Sequence, residues 1–431
     1  MMTRLTGRPV YIVDGARTPF LKAAGQPGPF HAADLAVACG SILLARQPFS
    51  PDALDEVIVG CVAPTVDEAN IARIIALRIG CDKQVPAFTV QRNCASGMQS
   101  LDTAALEIAT GRADIILAGG TEAMSHSPVV FNEKMAAWLG AWTGSRSLMQ
   151  RLAVLSQFRP SLLAPVIGLL RGLTDPVTGL SMGQTAENLA WRFNISREQM
   201  DAFALHSHQR LARAQDEGFL DEIVTLIDQR GNIHESDDGL RRDSSMERLA
   251  KLRPVFDKRY GNITAGNSAQ ITDGACLLIL ASEEAVQQHE LQIMGRLVDS
   301  QWAGLDPAQM GLGPVHATTP ILQRQNLTLD DIDIWEINEA FAAQVLACVA
   351  AWEEKAYCQQ QLGLDDVMGT LDQEKLNLDG GGISLGHPVG ASGARITLHA
   401  LKALHRKNKQ RAIATLCIGG GQGGAVMIER E

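Results

Sequence analysis

Along the first 120 or so residues the apolar positions switch between two spacings. Val10–Val13, Glu56–Gly60, Ala87–Val90 and Asp114–Ala118 are short β-rich runs. Several are closed by glycine, at Asp14-Gly15, Gly60 and Gly119-Gly120. Between them, Asp34–Arg46, Asn70–Leu77 and Ala95–Thr110 repeat apolar residues at helical spacing. Strands alternating with helices predict a layered α/β fold of βαβ-type units. The same grammar returns near the other end. Ile332–Ile337 reads as a strand, Ala340–Trp352 as a helix, Ser392–His405 as a helix, and Ala412–Cys417 as a strand running into Gly419-Gly420-Gly421.

The two ends also share a detail. Ala95-Ser96-Gly97 opens the long helix of the first block, and Ala391-Ser392-Gly393 opens that of the last. Each is followed by a helix, a strand and a glycine cluster. A tripeptide can recur by chance, but the shared order of elements suggests an internal duplication. Between the blocks lies a region of another kind, roughly Thr121 to Ile271. It holds a helix from Ser196 to Glu217, whose start reads as a capping box with Gln199, and a charged stretch of loops from Asp228 to Arg253. A second irregular insert runs from Cys358 to Leu376.

Composition narrows the function. The 431 residues are 46% apolar and 20% charged, the balance of an ordinary globular protein. A net charge of −10 argues against nucleic acid as a partner, since phosphate contacts need a basic face. The eight cysteines never fall in CxxC spacing, which favours reduced thiols over disulfides or a metal site. The stretch Met1 to Val10 has no apolar leader-like core, and no apolar run suits a membrane-spanning helix. A cytoplasmic location is expected.

Four segments carry candidate chemistry. In Gln91-Arg92-Asn93-Cys94-Ala95-Ser96-Gly97 a strand turns into a helix at Cys94, where unpaired N–H groups and the helix dipole favour a thiolate. A buried structural cysteine is the competing reading. In Gly380-Gly381-Gly382-Ile383-Ser384-Leu385-Gly386-His387-Pro388, glycines hold one histidine in a tight turn, as suits a general base. A packed histidine or an anion-binding loop would look similar. Cys417 ends a strand ahead of Gly419-Gly420-Gly421, whose N–H groups could form an oxyanion hole, or merely a turn. Asn338, between a strand and a helix, could hold a catalytic water or cap the helix.

Together these segments resemble the thiolase signatures: Cys-Ala-Ser-Gly, Asn-Glu-Ala-Phe (338–341), Gly-His-Pro (386–388) and the C-terminal Cys-x-Gly-Gly-Gly-x-Gly. Asp14–Phe20, Gly119–Ser125, Met182–Asn188, Lys251–Pro254 and Thr264–Asn267 extend the likeness over almost the whole chain. The resemblance implies two duplicated α/β halves in a five-layer α-β-α-β-α arrangement. Residues 1–123, completed by about 272–295, would form the N-terminal half, 124–271 an inserted loop domain, and 296–431 the C-terminal half. It implies a 3-ketoacyl-CoA thiolase of fatty-acid β-oxidation, with Cys94 as nucleophile, His387 as its base and Cys417 as acid and base at the α-carbon. His387 with a water on Asn338 would form one oxyanion hole, and the N–H groups of Cys94 and Gly419 the other. Coenzyme A and acyl-CoA are substrates, and no metal or cofactor is expected. Arg241 is expected near the adenine end of coenzyme A. Leu173, Met182, Phe256, Ala265, Met310, Ala340 and Phe341 would line the pantetheine and acyl pocket. Two positions depart from the family pattern. Ser181 stands where histidine is frequent, which suggests longer acyl chains. Ala269 replaces a pantetheine-contacting serine, so that bond falls to Ser268 or a water.

One segment remains. Lys134 to Thr174 carries Lys134, Arg146, Arg151, Arg159 and Arg171 with no acid, mixed with tryptophan and leucine. It could pack on the protein's own acyl tunnel, or dock on an anionic membrane or partner through residues 134–172. It resembles, with Ser207-His208-Gln209-Arg210 and the late insert, the β-subunits of trifunctional fatty-acid oxidation complexes, which pair with a hydratase/dehydrogenase α-subunit. At least a homodimer is implied. The alternative enzyme is a biosynthetic acetoacetyl-CoA thiolase. A ketoacyl-synthase-type enzyme would place a second histidine or an asparagine at Cys417, and a scaffold protein would be expected to have lost one of the three residues.

Overall fold

A computed structural model describes residues 6–431; residues 1–5, the first part of the stretch expected to lack a leader-like core, lie outside the described residues. The first half holds β1 (Tyr11–Arg17), α1 (Ala32–Ala45), β2 (Glu56–Gly60), α2 (Ile71–Arg78), β3 (Ala87–Val90), α3 (Ser96–Ala109) and β4 (Ile115–Ala123). An inserted region follows, with α4 (Glu133–Gly144), α5 (Leu148–Ser156), α6 (Met182–Arg192) and α7 (Arg197–Asp216). The chain then returns through β5 (Thr272–Ala281). The second half comprises β6 (Gly295–Gly304), α8 (Gly313–Gln325), β7 (Ile334–Ile337), α9 (Ala342–Glu353), α10 (Ser392–Lys407), β8 (Arg411–Ile418) and β9 (Gln422–Arg430).

The strand order shows the duplication directly. The first half runs β1-β5-β4-β2-β3 and the second β6-β9-β8-β7. In both, the first two neighbouring pairs are antiparallel and the next is parallel. Both first strands bulge at the same place, between Ile12 and Asp14 in β1 and between Leu297 and Asp299 in β6. The two sets of strands join only where Tyr11 and Ile12 meet Arg296 and Gly295. Helices α1 and α2 cover one sheet and α8 the other, with α9 packed beside α8. Between the sheets, α3 packs on the first and α10 touches strands of both. The result is the five-layer α-β-α-β-α stack.

The halves differ where they are loaded. Between β8 and β9 the second half has only the Gly419–Gly421 turn, with Gly420 and Gly421 in the left-handed region. The first half places Met124 to Ile271 at the equivalent point, between β4 and β5. Some sequence expectations shift. β4 does not end at Gly119-Gly120 but runs through to Ala123, because the glycines let it pass under the Gly390 carbonyl; a Cβ on Gly120 would lie 1.9 Å from that oxygen. The helix expected from Ala340 starts at Ala342, after an extended Phe341. The loops of 228–253 also contain a short strand, Ile233–His234, and a five-residue helix, Met246–Ala250. The Ser196 capping box is present, with Ser196 Oγ accepting from Gln199 N.

Helix α10 is buried on all sides, polar residues included. A buried charge persists only when paired. Arg395 accordingly meets Glu336 at 2.9 Å, and His399 lies 3.1 Å from Glu222 and 3.0 Å from Asp379. Burial alone would lower the His399 pKa, but the two carboxylates hold it at about 10. Glu222 and Asp237 come from the inserted region and also grip Arg17 of β1, at 3.2 and 2.7 Å. This buried ion cluster clamps the inserted region to both halves.

Candidate active site

The two Ala-Ser-Gly segments meet at the centre of the molecule. Gly97 and Gly393 face each other's turns: a Cβ on Gly97 would lie 2.7 Å from the Gly390 carbonyl, and one on Gly393 2.7 Å from Met98 N. Only glycine lets the N-termini of α3 and α10 approach this closely. The serines have matching tasks. Ser96 Oγ donates to the Asn93 carbonyl at 2.7 Å and accepts from Arg92 N at 2.9 Å, fixing the turn that carries Cys94. Ser392 Oγ donates to the Pro388 carbonyl at 3.0 Å and lies 2.6 Å from His387 Nδ1.

That second contact assigns the imidazole. A hydroxyl has one proton, and Ser392 gives it to Pro388, so Nδ1–H donates to Ser392 and Nε2 keeps its lone pair. Asn338 Nδ2 faces Nε2 at 3.4 Å. Burial, aided by the Arg395 charge, lowers the His387 pKa to about 4, so the ring is neutral. Asn338 is not a helix cap. Its side chain turns to His387, the cap position of α9 belongs to Phe341, and Asn338 Oδ1 has no hydrogen-bond partner among the described residues.

Cys94 sits on a turn whose preceding residue, Asn93, is left-handed at φ 43° and donates from Nδ2 to the Gly419 carbonyl at 2.8 Å. Burial pushes the Cys94 thiol up, and the N–H groups of Gly419 and Cys94 offset this only in part. The nucleophile therefore rests protonated and needs a base. Cys417, at the end of β8, is held well above the usual thiol range by burial and by the neighbouring Cys94 and Cys348 sulfurs. All eight cysteines are free.

A cavity of about 310 Å³ brings Cys94, His387 and Cys417 together. Its walls include Leu173, Met182, Phe256, Ser268, Met310, Ala340 and Phe341, all expected from the sequence. Ser181 and Ala269 line it too. Ser268 Oγ donates to the Thr264 carbonyl at 2.7 Å, so it faces the cavity with acceptor capacity only. Ala265 lies in a neighbouring pocket of about 130 Å³ with Arg241, His208, Ser244 and Arg248. Gly419 lines a third space, of about 80 Å³, which shares Cys94, Met124, Leu173, Met182 and Val389 with the catalytic cavity.

Two buried acids that the sequence reading did not single out brace these loops. Glu339 accepts from Ser207 Oγ, Asn377 Nδ2 and Ile383 N at 2.7, 2.8 and 3.2 Å, and so fixes the glycine loop ahead of His387. Glu122 accepts from Val62 N and Ala63 N at 2.9 and 3.0 Å, beside the third space. Burial lifts its pKa to about 7, against the pull of these N–H groups. An acid inside an otherwise apolar strand was the available signal for Glu122.

Residues 10–284 match the family description Thiolase, N-terminal domain, and residues 291–430 match Thiolase, C-terminal domain. The chain belongs to the thiolase family. Among curated thiolase relatives, the mitochondrial trifunctional enzyme subunit beta of Bos taurus is 37% identical over 98% of this chain and 88% of its own. The 3-ketoacyl-CoA thiolase of Yersinia enterocolitica is 37% identical over 100% of this chain and 99% of its own. The crystal structure of human mitochondrial 3-ketoacyl-CoA thiolase in complex with CoA superposes with a TM-score of 0.84 at 37% identity, covering 98% of each chain.

The described residues contain no helix long and apolar enough to cross a membrane. In the cationic segment, α5 leaves much of its apolar surface exposed, Leu148 at 74% and Met149 at 76%. Trp138 instead turns inward, stacking on Trp142 and donating to the Val154 carbonyl at 2.9 Å. Farther along, Leu170, Leu173 and Thr174 reach the catalytic cavity. The segment thus divides between the two readings, one end on the cavity wall and the other presented outward.

Proposed function

We infer that this thiolase cleaves 3-oxoacyl-CoA in fatty-acid degradation, releasing acetyl-CoA and a shortened acyl-CoA. The carrying observation is one apolar cavity shared by a neutral histidine and two protonated cysteines. His387 Nε2 takes the proton of Cys94. The thiolate attacks the 3-keto carbon, and the oxygen that gains charge is met by the N–H groups of Cys94 and Gly419. The C2–C3 bond breaks, its electron pair goes to C2, and the Cys417 thiol protonates C2 to give acetyl-CoA. Its high pKa suits this step, since a thiol that ionised early would have no proton to give. The acyl group stays on Cys94 as a thioester. Coenzyme A then loses its thiol proton to the Cys417 thiolate, attacks the thioester and returns the proton from His387 to Cys94. Asn338 Oδ1, unpartnered beside His387, is positioned to hold a water for the second oxyanion site. Side chains and backbone supply each of these steps.

Arg241 and Arg248, beside the 130 Å³ pocket, would take the phosphorylated nucleotide end of coenzyme A. The Cys417→Ala variant incubated with 3-oxohexadecanoyl-CoA should trap an acyl adduct on Cys94, read by mass spectrometry. No adduct would reject the mechanism. Turnover confined to acetoacetyl-CoA would favour the biosynthetic alternative.

The exposed apolar residues of α5, with the exposed cations Lys134, Arg146 and Arg151, support peripheral docking on an anionic membrane, together with a hydratase/dehydrogenase α-subunit as partner. Deleting residues 134–172 should abolish liposome co-sedimentation and partner pull-down. Retention of both would sink this assignment. A homo-oligomer is likewise part of the proposal, with light scattering as its test.

A further inference from the structure

We infer that the protein carries a second ligand site, remote from the catalytic cavity, in which Arg46 receives the carboxylate of a small organic acid. The site is independent of the thiolase chemistry above.

The internal duplication provides a comparison. Each half has an acid at the bulge of its first strand, Asp14 in β1 and Asp299 in β6. Both acids are met in the same way. The next residue's N–H donates to Oδ1, from Gly15 at 2.7 Å and from Ser300 at 2.9 Å. A glutamine at the end of the following helix donates to Oδ2 at 2.8 Å, Gln47 in one half and Gln325 in the other. The residue before that glutamine is arginine in both, Arg46 and Arg324. Here the halves part. Arg324 is 12% exposed and grips Asp299 with Nε at 3.1 Å and Nη2 at 2.9 Å. Arg46 is 43% exposed, stands 3.6 Å from Asp14 and makes no hydrogen bond among the described residues.

A cavity of about 820 Å³ opens over Arg46, within the size range of metabolite sites. Its walls are the bulge at Val13 and Asp14, the ends of α1 and α10, Phe219 and Asp221 beyond α7, and the linker 290–294 between the halves. None of these residues lines the catalytic cavity or the pocket of Arg241.

The chemistry of the ligand follows from the duplicate. A guanidinium fork matches a carboxylate, and Arg324 holds one at the equivalent position of the other half. The fork of Arg46 is left for a carboxylate that the chain does not supply. Lys402 lines the same cavity and is shared with Asp221 at 3.2 Å. Glu290, in the linker wall, disfavours a second negative charge, so a monocarboxylate suits the cavity better than a phosphate ester. Pro48, Leu291, Ile293 and Met294 give it an apolar body to rest on.

The test is isothermal titration of the protein, saturated with coenzyme A, with benzoate and with its neutral isostere benzamide. Benzoate should bind at least tenfold tighter than benzamide. Arg46→Gln should remove that preference and leave kcat for acetoacetyl-CoA within twofold of the parent. Ile293→Trp, which fills the cavity, should abolish binding of both. Equal binding of benzoate and benzamide overturns the site, as does a benzoate preference that survives Arg46→Gln. Benzoate binding seen only without coenzyme A belongs to the catalytic cavity and overturns it too. Phenyl phosphate binding as tightly as benzoate overturns the carboxylate assignment. If Ile293→Trp fails to fold, the half-exposed Arg46→Gln decides.

Discussion

Ser392→Ala removes a hydroxyl that touches no substrate and should still slow the reaction. The serine receives the Nδ1 proton of His387 at 2.6 Å and passes its own to the Pro388 carbonyl. Without it, Nδ1–H is buried with no acceptor, at a cost of about 1.5–3 kcal/mol. The ring can escape that cost by moving its proton to Nε2, the atom that must accept the proton of Cys94. Either way the competent base is scarcer by the same free energy, which corresponds to about 10- to 100-fold in kcat. KM should change less than threefold, because Ser392 lines none of the three spaces that hold substrate. Steady-state kinetics with acetoacetyl-CoA, alongside a thermal melt, gives the answer. A folded Ser392→Ala enzyme with kcat within twofold of the parent would refute the tautomer argument. Ser96→Ala, its counterpart in the other half, should loosen the Cys94 turn without moving the acid limb of the pH profile.

His387, held at about 4 by burial, stays neutral through mildly acid conditions. The acid limb of kcat/KM should therefore fall below about pH 5 and not at the ordinary histidine value of 6.5; a limb at 6.5 would count against the buried neutral base. The same depression contributes stability that is complete above pH 6.5 and lost as pH falls through 4, visible as declining urea midpoints in acid. His399→Leu strips the cation from between Glu222 and Asp379 and should destabilise by about 3–5 kcal/mol, measured by denaturant titration; a loss below 1 kcal/mol would show that the cluster is not a clamp. Gly381→Ala would place a methyl 2.4 Å from the Glu339 carboxyl, so activity should drop at least tenfold, while Gly111→Ala, strained at φ 78° but distant from the site, should lower the melting temperature alone.

Much of this was legible in the sequence because local signals agreed with the fold. β2 and β3 have the bounds their apolar runs suggest, and the repeated Ala-Ser-Gly does mark equivalent helix starts. What the tripeptide could not convey is that its serines brace the Cys94 and His387 turns, since that needs both turns in space. The last strand, β9, went unread: its leading glycines conceal a β pattern that pays off only in a strand paired on both sides. How far burial opposes the thiolate at Cys94 was not legible, for a related reason. Helix-start geometry is local and readable, whereas burial, which outweighs it here, depends on the entire chain. That Ala265 shares a pocket with Arg241, apart from the other wall residues, turns on loop path, which spacing does not encode.

The strand order has a consequence for how the molecule is made. β5 sits between β1 and β4, and β9 between β6 and β8, so in each half a middle strand is synthesised last. The first sheet cannot close until the ribosome has passed residue 281, long after β1 and β4 have emerged. The second waits for β9, which ends at Arg430. During translation each half exposes two unpaired strand edges for the next strand to fill, and these need protection from neighbouring chains. A nonsense codon at or just before Gln422 would thus remove the middle of a sheet and not merely an edge.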